Sequence, residues 1–123
     1  MNDLIAFEFL SRIVEAKTRS HRLLRWCVVH LYNIYQVEIF FNQLVEKGNK
    51  SIILDLKKVN YLDSSGLGGL LKMSTDIKKY NGNMSICRLQ DYPKSLVKMA
   101  CLEYTFLVSD SVRESIKKLR QTR

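Results

Sequence analysis

The sequence predicts an α/β fold around a partly parallel sheet. Segments of strand length alternate with segments whose apolar residues recur at helical spacing, and parallel neighbours need such crossovers. Ser51-Ile52-Ile53-Leu54-Asp55-Leu56 is short, β-branched and almost wholly apolar, as a strand covered on both faces is.

In chain order, Leu4 to Val14 and Leu23 to Leu31 read as two strands joined by the basic turn Lys17–Arg22. The stretch Arg22 to Val29 also suits the start of a helix, and the hairpin is the preferred reading. From Ile34 to Lys47, apolar residues at Ile34, Val37, Phe41, Leu44 and Val45 mark one face of a helix. Asn33 suits its N-cap, and Gly48 the left-handed position after its end. After the buried strand, Val59 to Leu62 continues extended into Asp63-Ser64-Ser65-Gly66. A second helix is expected from about Ser65 to Tyr80, burying Leu67, Leu70, Leu71, Ser74 and Ile77, with Asn81-Gly82 as its stop. Met84 to Leu89 alternates apolar and polar residues, the pattern of a half-buried strand. A short helix follows with Pro93 at its first position and Leu96, Met99 and Ala100 inward. Tyr104 to Val108 reads as a further strand. The last helix starts near Asp110, with Ser111 and Glu114 at capping-box spacing, and buries Val112, Ile116 and Leu119.

The composition, 46% hydrophobic and 26% charged, is that of an ordinary globular chain, and 123 residues suit one domain spanning 1–123. No low-complexity linker or internal repeat divides it. The formal charge of +8 has clusters at Lys17–Arg25 and Arg113–Arg123 and favours acidic partners. Lysines and arginines on solvated faces and helix C-termini account for such a balance equally well. The basic clusters lack interleaved aromatic residues, so direct nucleic-acid binding is not expected. Cys27, Cys87 and Cys101 form no CxxC pair, which points to reduced, buried thiols in a reducing compartment. With His21 and His30 alone there is no metal-ligand spacing, and no cofactor motif occurs. Asp3 and Glu8 without a basic leader argue against a signal peptide, and no apolar run approaches the ~20 residues of a membrane span. A cytoplasmic location is expected.

The chemistry-bearing stretch runs from Ile53 to Leu71: a buried strand, an acidic turn, two hydroxyls, and Gly66-Leu67-Gly68-Gly69 in the first turns of a helix. Each glycine in a helix costs roughly 0.5–1 kcal/mol against alanine. Three together suggest that another surface approaches the backbone closely. Ser64 and Ser65 stand where amide groups at a helix start favour an anion, and phosphate there would change a docking surface abruptly. Against this stands the plainer reading that Asp63 and Ser64 cap a helix whose glycines pack on the sheet. The spacing fits neither a P-loop nor a dinucleotide fingerprint.

The same stretch resembles the STAS domain of anti-sigma factor antagonists, whose signature is strand–Asp-Ser-x-Gly-Leu-Gly–helix. The resemblance extends through Lys78–Asn83 and Leu96–Phe106, and upstream through Leu31–Gly48, from about residue 29 to the end. It implies a central mixed β-sheet with helices packed mainly on one side. It further implies partner switching: the unphosphorylated protein binds an anti-sigma factor that is also a serine protein kinase, and so frees a sigma factor. Phosphorylation breaks the complex and a serine phosphatase restores it. Carried over, Ser64 is the phosphoacceptor and Ser65 the second candidate. Asp63, Ser64, Ser65, Gly66 and Leu67 form the docking turn. The chain would be a binder and substrate, monomeric or weakly dimeric, rather than a catalyst; no Ser/His/Asp or Cys/His arrangement is evident.

One departure stands out. The family carries a Gly-Glu-Ile/Leu-Asp turn before its first helix, its aspartate near the phosphorylated serine. Here the stretch is Cys27-Val28-Val29-His30, with His30 in the aspartate's place. Residues 1–28 are atypical for the family. An imidazole for an acid changes the local charge beside the docking turn, and a satisfied surface histidine is the plainer alternative.

Overall fold

The computed structural model describes residues 11–17, 21–34 and 37–121. A four-stranded sheet runs in the order β1 (Ser11–Lys17), β2 (Leu23–His30), β3 (Ser51–Asp55), β4 (Asn83–Cys87). β1 and β2 are antiparallel, whereas β2, β3 and β4 are parallel to one another. The helices are α1 (Val37–Glu46), α2 (Ser64–Lys78), α3 (Asp91–Met99) and α4 (Val112–Gln121). The hairpin reading of the N-terminal region thus holds and its helical alternative does not. Residues 4–10 and 18–20 of that reading lie outside the described residues.

The sheet buries both faces. On one, Cys27, Val29, Ile52, Leu54, Met84 and Ile86 pack against Val37, Phe41 and Leu44 of α1, and against Leu70, Met73 and Ile77 of α2. Val97 of α3 joins this core. On the other face, Leu24, Trp26, Val28, Ile53 and Cys87 meet Leu119 of α4, with Val112 and Ile116 alongside. Of the described helices, three therefore lie on one side and one on the other.

Helix ends follow the local chemistry. Gly48 sits at φ +91°, where its N–H bonds the Val45 carbonyl and that of Asn49 bonds Leu44, closing α1. At the end of α2 it is Asn81, at φ +61°, that takes the left-handed position. Gly82 follows because a Cβ there would lie 2.8 Å from the Lys50 carbonyl oxygen and 2.6 Å from Ile77 Cγ1. In α4 the Ser111 hydroxyl accepts the Glu114 N–H at 3.0 Å, and the Glu114 carboxylate accepts the N–H of Asp110 rather than of the cap.

Several expectations need correction. The described part of α1 begins at Val37, residues 35–36 of its expected start lying outside the described residues; Val45 is half-buried. Leu71 is exposed and Leu67 half-buried, while Met73 takes the inward position on α2. β4 is buried on both faces: Ser85 is accommodated because its hydroxyl donates to the Leu107 carbonyl and pairs with Ser115 Oγ, each at 2.6 Å. α3 starts two residues earlier than expected, placing Pro93 at its third position. Pro93 and Val97, one turn apart, point inward, Leu96 is half-buried, and Met99 and Ala100 are exposed. Tyr104 to Val108 is a series of turns, not a strand. Left-handed Leu107 (φ +47°) breaks the extension, and only Ser109 bridges Cys87. Cys101 is exposed, unlike Cys27 and Cys87, whose thiols burial pushes up to about 11 and about 12.

Gly82→Ala is expected to destabilise the fold by about 1–3 kcal/mol, because the new methyl group meets the Lys50 carbonyl oxygen as well as the buried Ile77 side chain. Urea unfolding checks this, and an unchanged midpoint would contradict the packing assigned to Gly82.

Candidate functional site

Parallel strands bring their carboxyl ends to one edge, where the following loops build a common surface. Register places His30, the last residue of β2, beside Asp55, the last of β3, and Asp55 beside Cys87, the last of β4. Arg88 leaves β4 at φ +58°. Asp55 is 2% exposed, and a carboxylate so enclosed must be matched by donors. Arg88 Nε donates to Asp55 Oδ1 at 3.1 Å and its Nη2 to Oδ2. His30 Nδ1 lies 2.8 Å from Oδ2, and the Lys57 N–H donates to Oδ1 at 3.1 Å. Burial alone would raise the carboxyl pKa, but these donors, Arg88 foremost, hold it below the usual carboxylate range.

Above this cluster is a hollow of about 400 Å³, lined by His30, Tyr32, Asp55, Lys57, Lys58 and Arg88. Lys58 Nζ sits 5.1 Å from the centre of the Tyr32 ring. Nearby, Tyr61 of the loop after β3 and Tyr92 in the first turn of α3 stack with centroids 6.3 Å apart, both more than half exposed. Gln90 Nε2, donating to the Lys57 carbonyl at 2.6 Å, ties the loop after β4 to the loop after β3.

The motif residues stand at the start of α2. Asp63 is the N-cap: its backbone is extended and its Oδ1 accepts the Gly66 N–H at 2.8 Å. Ser64 and Ser65, the first two helical residues, are exposed. Their amides belong to the opening turn, which no preceding carbonyl can satisfy. Gly66 is buried, and a Cβ on it would press on Leu62 Cδ1 at 2.9 Å and Ile34 Cγ2 at 3.1 Å. Gly68 and Gly69 have nothing within 4 Å of a Cβ position. The glycines therefore divide: one fits the chain to itself, and two leave bare backbone facing outward. Leu67 is half-buried against the core. A groove of about 140 Å³ separates this turn from α1, with Ser65, Gly66 and Gly69 on one wall and Ile34, Val37 and Glu38 on the other. His30 lines the hollow around Asp55 and is also within reach of Arg12 (3.3 Å).

The ion cluster was missed at the sequence level although one sign of it was visible. Asp55 is a charge inside Ile52-Ile53-Leu54-Asp55-Leu56, and a carboxylate in a doubly covered strand demands partners. Arg88, 33 residues later, carries no such mark.

A model of the STAS domain family matches residues 28–115. The putative anti-sigma factor antagonist BtrV of Bordetella bronchiseptica is 26% identical over 84 residues, covering 68% of this chain and 72% of that protein. The putative sulfate transporter YvdB of Bacillus subtilis is 31% identical over 111 aligned residues. That alignment takes in 76% of this chain and 21% of the transporter. The structure of the Bacillus cell fate determinant SpoIIAA in its phosphorylated form shares the fold, with a TM-score of 0.59 at 16% identity. It covers 92% of this chain and 99% of its own.

A carboxyl held below its ordinary pKa stabilises the fold fully above about pH 4, and the contribution is lost as pH falls through the lower folded value. Arg88→Ala is expected to cost about 2–3 kcal/mol at pH 7, since it strips a buried carboxylate of its main partner. It should also flatten the acid limb of the stability profile. Urea unfolding between pH 3 and 7 checks both, and a wild-type profile in the variant would rule out the assigned coupling.

Proposed function

The chain belongs to the STAS domain family, and from that premise we propose that it is an anti-sigma factor antagonist switched by phosphorylation of Ser64. One observation carries the reading: Ser64 is an exposed hydroxyl on the first residue of α2, directly after the Asp63 cap. A kinase can reach it there, and a phosphate can remain without unfolding anything, because the positive end of the helix favours the added charge. Ser65 shares these features one residue on and is the second candidate. Similarity to the putative antagonist BtrV supports the same assignment.

The partner, an anti-sigma factor acting also as a serine kinase, docks on Asp63, Ser64, Ser65, Gly66 and Leu67, with His30 at the end of β2. Gly68 and Gly69 give it open backbone to approach. Phosphorylation adds nearly two negative charges beside Asp63, and a surface complementary to a neutral hydroxyl no longer fits. A serine phosphatase resets the chain, which acts as binder and substrate in the cytoplasm. No described helix is long and apolar enough to cross a membrane.

A second reading rests on the match to YvdB, where the aligned stretch is a fifth of a putative sulfate transporter. A transporter-associated STAS subunit would co-purify with a membrane protein and carry no phosphate.

Phosphopeptide mass spectrometry of the chain recovered from its own cells, with captured partners identified together, separates the two. Ser64→Ala should abolish the label. Ser64→Asp should weaken kinase binding at least tenfold, about 1.4 kcal/mol, and binding as tight as wild type would end the switch reading. Gly68→Ala should stabilise the isolated chain by roughly 0.5–1 kcal/mol yet weaken the partner complex. Unimpaired binding by that variant would remove the open backbone from the docking surface.

A further inference from the structure

The sheet face opposite α2 holds a further cavity, unrelated to Ser64. α4 packs chiefly on β3 and β4, and between it and the β1–β2 hairpin lies a groove of about 580 Å³. Register sets Val14 of β1 against Trp26 of β2, and Ala16 projects to the same side two residues on. With Ile116 of α4 these make an apolar floor. The α4 side carries three cations, Arg113, Lys117 and Arg120, all exposed. The one acid on that wall, Glu114, is already engaged by the Asp110 N–H and by Lys118.

Trp26 adds an independent observation. It is 1% exposed, and its Nε1 is the one buried side-chain nitrogen or oxygen among the described residues with no hydrogen-bond partner. An unpaired buried donor is costly, and native proteins keep few of them. The guanidinium of Arg120 lies over the same ring, 5.1 Å from its centre. An unmatched N–H, a cation beside it and two further cations along an apolar trough ask for one kind of occupant: an acceptor oxygen bearing negative charge on an apolar body.

We propose that this groove binds an amphipathic carboxylate, an apolar chain ending in a carboxylate group. The carboxylate pairs with the planar fork of Arg120 or Arg113, a geometry that guanidinium groups match with two parallel hydrogen bonds. One of its oxygens accepts from Trp26 Nε1, and the chain lies over Val14, Ala16 and Ile116. Lys117 contributes long-range attraction. The site reaches beyond the phosphoswitch and stands or falls without it.

Trp26 is the sole tryptophan of the chain, so its intrinsic emission reports on this groove alone. Titration of the whole chain with dodecanoate, below its micelle-forming range, should give a saturable change in emission. Arg113→Ala/Arg120→Ala should weaken the apparent affinity at least tenfold, and Lys117→Gln several-fold should the double variant fold poorly. Trp26→Phe, followed by calorimetry, should bind several-fold more weakly because the ring remains and its N–H does not. Ser64→Ala should bind like wild type. The proposal is overturned by the absence of a saturable response, by an equal response to neutral 1-dodecanol, or by undiminished affinity in both cation variants. Binding to phosphatidylglycerol vesicles without a response to free dodecanoate would likewise overturn it, assigning the face to a membrane surface.

Discussion

A single negative charge at the end of β3 constrains everything at the top of this sheet. Asp55 lies in a strand buried on both sides, where an unmatched carboxylate would cost several kcal/mol. Its partners come from three places: the end of β2, the residue after β4 and the backbone two residues onward. Satisfying it therefore fixes three loops at once. Arg88 adopts a left-handed backbone while its side chain reaches Asp55. Lys57 and Lys58 then turn outward into the hollow. The stacked tyrosines and the Gln90 bond extend this scaffold to the loop that enters α2. The cluster thereby holds together the loops at this end of the sheet.

The start of α2 is shaped differently. There the constraint is steric: Gly66 lets Leu62 and Ile34 close on the helix so that the turn is pinned to the loop preceding α1. Ser64 and Ser65 are thereby displayed on a rigid base. Under the switch proposed above, a phosphate there would add charge to a turn held in place by this packing.

Much of this was legible in the residues. The all-apolar Ile52-Ile53-Leu54 run gave a doubly covered strand, Gly48 gave the end of α1, and Ser111 with Glu114 gave the start of α4. The motif Asp63-Ser64-Ser65-Gly66 was recognisable as a capped helix start, and Asp63 caps it. The misses share a cause: tertiary partners overrode local pattern. Ser85 looks outward by alternation but is buried because Ser115 and the Leu107 carbonyl satisfy it. Tyr104–Val108 has strand composition, yet β4 takes its bonds from Phe106 and Ser109 across a chain of turns. The Asp55–Arg88 pairing spans 33 residues and leaves no periodic trace. His30 likewise meets Asp55 through strand register, a contact that local sequence does not show.

The contrast among the three cysteines has a practical side. Cys27 and Cys87 are enclosed in the two cores with thiols that resist ionisation, whereas Cys101 sits in the open just past the end of α3. Thiolate is the reactive form, so a maleimide dye should attach at one position without mutagenesis. That position is on the far end of α3 from Tyr92, giving a native anchor from which energy transfer can time the arrival and departure of a labelled binding protein.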